Sequence, residues 1–166
     1  MPLLAMFFKA EMEGVEKIVF PENDQWKIDV VQSGGEEKRL GITVDPTNEE
    51  EVPNSKGTAN FLLKWEGAKA ASTISVVTPS RSTPLKDKEV KDAKLFEYSD
   101  AGQFAPVVIF DCRGVEPCSY YPVGLTIHTS FGVFEDVDLS EEWMEASETG
   151  EVATVSSLSF EFRVVR

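Results

Sequence analysis

Leu158-Ser159-Phe160-Glu161-Phe162-Arg163-Val164 puts an apolar side chain at every second position and a polar one between each pair. That period of two describes a strand with one face in a core and the other in water, and a helical stripe has a different spacing. The same pattern recurs upstream. Phe8, Ala10 and Met12 alternate with Lys9, Glu11 and Glu13, and Trp26, Ile28 and Val30 alternate with Lys27 and Asp29. Ser33-Gly34-Gly35 then breaks the chain and Leu40, Ile42 and Val44 resume it, so residues 25–45 read as a hairpin with a glycine turn. A second hairpin of the same layout runs from Asn60 to Trp65, turns through Glu66-Gly67-Ala68-Lys69 and returns as Thr73 to Val77.

Further strand signals lie at Lys94 to Tyr98, Phe104 to Cys112, Gly124 to Thr129 and Gly132 to Val137. Ser140 to Ser147, with Asp138 or Ser140 as N-cap and Trp143 turned inward, is the one segment that reads as a helix. About ten short strands and at most one short helix predict an all-β fold, with two similar β-rich halves forming a sandwich or a pair of coiled sheets. Asp45 to Gly57 is acidic, rich in turn residues and reads as an exposed loop. Thr78 to Asp92 carries Pro79, Pro84 and dense charge. The expected division is therefore an N-terminal half at 1–78, a connector at 79–92 and a C-terminal half at 93–166.

With 166 residues, 42% of them hydrophobic, the chain is long enough to bury a core. Its net charge of −13 repels phosphate backbones and anionic lipid, so the expected partner is a protein rather than a nucleic acid or a membrane. No apolar run approaches the roughly twenty residues of a spanning helix, and Met1 to Phe8 lacks the basic start of a secretion signal. The expected setting is cytoplasmic. Cys112 and Cys118 are too few for a disulfide scaffold and read as free thiols.

The run Phe110-Asp-Cys-Arg-Gly-Val-Glu-Pro-Cys-Ser-Tyr-Tyr-Pro122 follows an apolar strand and breaks on Gly114 and Pro117. Arg113 and Glu116 flank the break at a spacing that lets a guanidinium reach a carboxylate. Within it, Cys-Arg-Gly-x-Glu-Pro-x-x-Tyr-x-Pro over Cys112 to Pro122 resembles the signature of a eukaryotic family of C-x-x-C-motif-containing zinc-binding proteins, once catalogued as a domain of unknown function. Ser55-Lys56-Gly57-Thr58-Ala59-Asn60 upstream and Gly132-Val-Phe-Glu-Asp-Val-Asp-Leu139 followed by Trp143 downstream match in the same order, so the resemblance covers nearly the whole chain.

The resemblance implies a small β-rich protein with no established reaction and a structural zinc held by two C-x-x-C pairs, one on each N-terminal hairpin turn. Aligned on Trp26 and Lys64, this chain has Gln32, Gly35, Trp65 and Ala68 at those four positions. All four sulfurs are missing, and Cys112, Cys118 and the single histidine, His128, do not make up a four-ligand set. The expectation is a chain with no metal and no cofactor, with Trp65 covering the space between the hairpin tips.

Two functions remain. The first is a non-catalytic protein-interaction or adaptor module using Arg113, Glu116, Tyr120 and Tyr121. The alternative is a thiol-dependent enzyme or redox protein built on Cys118 or Cys112, with His128 as base and a carboxylate such as Asp136. Neither acidic run, Glu49 to Glu51 or Glu135 to Asp138, has the spacing of a calcium loop.

Overall fold

A computed structural model describes residues 3–77 and 86–165, and the alternating segments become antiparallel strands. β1 (Leu3–Glu13) leads into β2 (Val15–Val19), followed by the hairpin β3 (Trp26–Gln32) and β4 (Lys38–Val44). The two-residue strands β5 (Glu50–Glu51) and β6 (Thr58–Ala59) clip the base of the acidic loop and pass into the hairpin β7 (Phe61–Leu63) and β8 (Ser72–Val76). One helical turn, α1 (Lys88–Lys91), precedes β9 (Glu97–Tyr98) and β10 (Ala105–Arg113). The chain ends with β11 (Val115–Tyr120), the hairpin β12 (Leu125–Thr129) and β13 (Gly132–Val137), and the hairpin β14 (Trp143–Ala146) and β15 (Val152–Val165).

The order long strand, glycine, short strand, hairpin, hairpin occurs twice. Beginning at β1 and at β10, the two series are β1-β2-β3-β4-β7-β8 and β10-β11-β12-β13-β14-β15. Their sheets are shared. The large sheet has the order β14-β15-β1-β10-β8-β7, so β1 pairs with the hairpin of the later series and β10 with the hairpin of the earlier one. The exchange is repeated in the smaller sheets, β11-β3-β4 and β13-β12-β2-β9. Segments 1–78 and 93–166 thus repeat one element order without forming separate sheets. Of the expected connector, residues 79–85 lie outside the described residues and 86–92 contain α1.

Each long strand leaves the large sheet at a glycine. Gly14 and Gly114 have φ of +68° and +74°. An added Cβ would sit 2.3 Å from Val152 O at the first and 2.5 Å from Ser72 Oγ at the second, against the opening residues of β15 and β8. Both the left-handed backbone and the close approach require glycine at these two points.

β1 is the centre of the core and is buried on both faces. Leu4, Met6, Phe8 and Ala10 face the main cluster, which also holds Trp26, Trp65, Phe110 and Tyr120, while Ala5 and Phe7 face a smaller cluster with Val77, Val90, Ile109 and Val165. Phe20 stacks on Trp26 at 5.9 Å between ring centroids, and Tyr120 lies 5.6 Å from Trp26. A bulge between Lys9 and Glu11 takes Ala10 out of the β1–β15 ladder. The buried Tyr98 hydroxyl compensates by accepting from Ala10 N at 3.1 Å, with Asp100 O and Gln103 O each 2.7 Å away as acceptors for its own proton.

The all-β expectation is met, but the helix is not where Ser140 to Ser147 suggested. Trp143–Ala146 is strand β14, paired residue by residue with β15. Asp138 accepts from Ser140 N at 2.8 Å and from the Ser140 hydroxyl, a local turn that reverses the chain instead of starting a helix. Trp143 then packs on Phe134 with ring centroids 5.3 Å apart. The helical turn forms at Lys88–Lys91, where Asp87 caps Glu89 N at 3.1 Å and Val90 is buried. Pro117 also does not end a strand. It lies in β11 opposite Val30, at the edge of its sheet and beside a register shift, where its missing N–H breaks no ladder on the open side.

Candidate functional site

The two N-terminal hairpins end in matching turns. Gly35 N donates to Gln32 O at 3.0 Å in one and Ala68 N donates to Trp65 O at 3.0 Å in the other. The third residue of each, Gly34 and Gly67, has positive φ, +74° and +78°. The four positions that the resemblance assigns to zinc are thus the first and last residues of two tight turns of one design. Gln32, Trp65 and Ala68 line one cavity of about 430 Å³ with Ser33, Arg113 and Gly114. Gly35 lies beneath the Gln32 side chain, whose Oε1 would be 2.7 Å from an added Cβ.

The donor set does not fit a zinc ion. Glycine and alanine offer no side-chain ligand, the glutamine amide oxygen is a poor one, and the indole nitrogen of Trp65 carries a proton and no free lone pair. Trp65 is 2% exposed and its Nε1 has no hydrogen-bond partner among the described residues, while Arg39 Cζ lies 5.8 Å from the ring centroid. An apolar ring and a cation occupy the place where a cation-binding site would gather negative charge. Among the described residues, no three His, Cys, Asp or Glu side chains form a group able to hold a metal.

The Cys-Arg-Gly signature borders this cavity. Gly114 O accepts from Ser72 Oγ at 3.0 Å and from Ser33 N at 3.2 Å, so the signature glycine ties both hairpins to β10. Sequence reasoning missed Ser33 and Ser72, which carry no motif of their own; the glycine in the signature was the available signal. Arg113 is on the cavity wall with its side chain 56% exposed. Its nearest carboxylate is Asp111, with Nε 3.9 Å from Oδ1, and not Glu116 as the spacing suggested. The two residues stand on different strands, either side of the Gly114 kink.

The four proposed binding residues do not share one face. Glu116 is exposed on β11, but Tyr120 points inward between Trp26 and Phe160 because β11 alternates about its bulge. Burial raises the Tyr120 hydroxyl well above its ordinary value, and that hydroxyl has no partner among the described residues. Tyr121 is at the far end of β11, about 20 Å from Gly114 at strand rise. Its hydroxyl donates to Asp29 Oδ1 at 2.6 Å and Lys27 Nζ lies 4.9 Å from its ring centroid.

The thiol alternative finds no constellation. Cys112 is fully buried in β10, and desolvation, with Asp111 and Glu116 adding negative charge, pushes its pKa up to about 12. Cys118 is exposed, yet partial burial and then Asp29 also raise it. His128 stands on β12, in a different sheet from either cysteine, and Asp136 is on β13.

Fold and site together define a class: two interlocked β series carrying a pair of matching tight turns on one cavity. The chain belongs to the eukaryotic family of CXXC motif containing zinc binding proteins, which residues 5–163 match. It is similar to a UPF0587 protein of Caenorhabditis elegans, 24% identical over 177 residues, covering 100% of this chain and 97% of that one. A UPF0587 protein of Drosophila melanogaster is 32% identical over 108 residues, 61% of this chain and 59% of that one. Among solved structures, a hypothetical protein from Plasmodium falciparum superposes with a TM-score of 0.80 and 25% identity, covering 98% of this chain and 100% of the other. None of these names states a reaction.

Proposed function

We propose that the chain is a non-catalytic protein-interaction module that has kept the family scaffold without the metal. The observation that carries this reading is the cavity between the Gln32–Gly35 and Trp65–Ala68 turns, which presents an exposed Arg113 guanidinium and, among the described residues, no metal donor set. An arginine whose nearest carboxylate is 3.9 Å away keeps most of its donors for a partner. The raised thiols support the same reading, since a nucleophilic cysteine needs a lowered pKa. We place its work in the cytoplasm, where Cys112 and Cys118 stay reduced.

The test compares affinity capture from cell extract by wild type and Arg113→Ala, after thermal unfolding shows that the two are equally stable. Proteins recovered by the first and lost by the second support the reading. Identical sets would show that Arg113 is scaffold and that the cavity is not the contact surface.

A further inference from the structure

The large sheet ends on one side at β14, and among the described residues no strand pairs with its outer edge. Most other sheet edges here are blunted. β4 carries Lys38, Arg39 and a left-handed Gly41; β11 has Pro117 and a bulge; β13 has a register shift against β12 and a left-handed Asp136; β9 is two residues long and β7 three. β14 is also short, at four residues, but it carries no proline, no bulge and no left-handed residue. Its four residues pair with β15 in unbroken register, Trp143 with Val155 through Ala146 with Val152. Unpaired N–H and C=O groups along a regular edge are a template for another strand.

The chemistry around this edge is of one sign. Residues 114–162 contain ten Asp and Glu and no Lys or Arg, and Glu141, Glu142, Glu145, Glu148 and Glu151 are all exposed on or beside the β14–β15 hairpin. Met144, 69% exposed, stands among them, and with Glu142, Thr154 and Ser156 it lines a shallow cleft against the edge. Trp143 faces the core, so alternation puts Glu145 on the Trp143 side and Met144 on the opposite one.

We propose that the outer edge of β14 is a docking site for an extended basic peptide, which adds to the sheet as a seventh strand. Its Lys or Arg side chains meet Glu145 on the Trp143 side, and its apolar side chains cover Met144, beside Glu142, on the other. A second copy of this chain is disfavoured at the same edge, because pairing β14 with β14 sets these glutamates against one another. The proposal is independent of the Arg113 cavity, and different variants test the two.

The experiment is fluorescence anisotropy with a labelled synthetic peptide alternating lysine and valine, against the full chain. Saturable, salt-sensitive binding is expected, and the glutamate-valine counterpart should not bind. Glu142→Lys with Glu145→Lys should weaken binding by about tenfold or more. If that pair unfolds the chain, Glu142→Gln with Glu145→Gln should weaken it in the same direction. A lysine-valine peptide with alternate backbone amides N-methylated keeps its charge but loses the ladder, and its binding should vanish. Equal binding of the N-methylated peptide, unchanged affinity of the charge variants, or a dimer that Met144→Lys dissociates would each overturn the proposal.

Discussion

Replacing Trp65 by alanine removes a buried ring from the wall of the cavity that the two turns line. A buried aromatic side chain covers roughly 150–250 Å². At about 25 cal/mol per Å² that area is worth about 4–6 kcal/mol as an upper bound, and measured losses for such truncations are about 3–5 kcal/mol. With Trp65 2% exposed, the expected cost is about 4 kcal/mol. In a chain of this size that lowers the melting temperature by about 8–16 °C. Phenylalanine at the same position separates packing from polarity. It keeps most of the buried ring and removes an Nε1–H without a partner, whose burial costs about 1–3 kcal/mol. The smaller ring and the weakened Arg39 contact act the other way, so Trp65→Phe is expected within about 1 kcal/mol of wild type. Urea unfolding followed by circular dichroism measures both. A Phe variant as unstable as the Ala variant would mean that the indole N–H is satisfied, and an Ala variant that costs under about 1 kcal/mol would mean that Trp65 does not fill the space between the two turns.

Gly114→Ala should destabilise by about 2–3 kcal/mol, from a left-handed φ and the 2.5 Å approach to Ser72 Oγ, and Ser72→Gly in the same chain should recover part of the loss in urea titration. The folded Cys112 thiol is raised to about 12 from 9.0, so above pH 9.0 the unfolded chain releases this proton first and stability falls by up to about 1.4 kcal/mol per pH unit toward pH 12. Below pH 9.0 the contribution is constant, and Cys112→Ala should show a shallower alkaline decline than wild type. Elemental analysis should find far less than one zinc per chain, and a chelator should leave the melting temperature unchanged. Writing the four sulfurs back, with Gln32→Cys, Gly35→Cys, Trp65→Cys and Ala68→Cys together, should produce a chain that binds one zinc and melts higher with it, provided that the two turns still face each other.

Much of the fold was legible because alternation reports burial on one face at a time. Trp26 to Val30 and Leu158 to Phe162 announced their strands in that way, while Val164, expected on the core face, is exposed and Val165 is buried on the other face against Ala5 and Phe7. The signal weakens where a strand is buried on both faces, as in Leu4 to Phe8, or where a bulge shifts the phase, as around Pro117. Tyr120 was placed on a surface for that second reason, since the register shift at Pro117 is set by pairing with β3 and not by neighbours in sequence. The misplaced helix at Ser140 to Ser147 has a similar origin: a capping residue and four local residues do not reveal that β15 lies alongside. The paired turns were legible from their glycines. The hydrogen bonds that bind them to Gly114 join residues 42 and 81 positions apart, beyond any local pattern.

The exchange of strands between the two series has a consequence for synthesis on the ribosome. β1 is made first, yet its neighbours in the sheet are β10 and β15, so neither is available until residues 105 and 152 onward have emerged. A strand buried on both faces must wait, unpaired, until about a hundred further residues have been added. Such a nascent chain offers a chaperone a long-lived hydrophobic target, and the emergence of β10 and β15, more than any local nucleus, lets the sheet close.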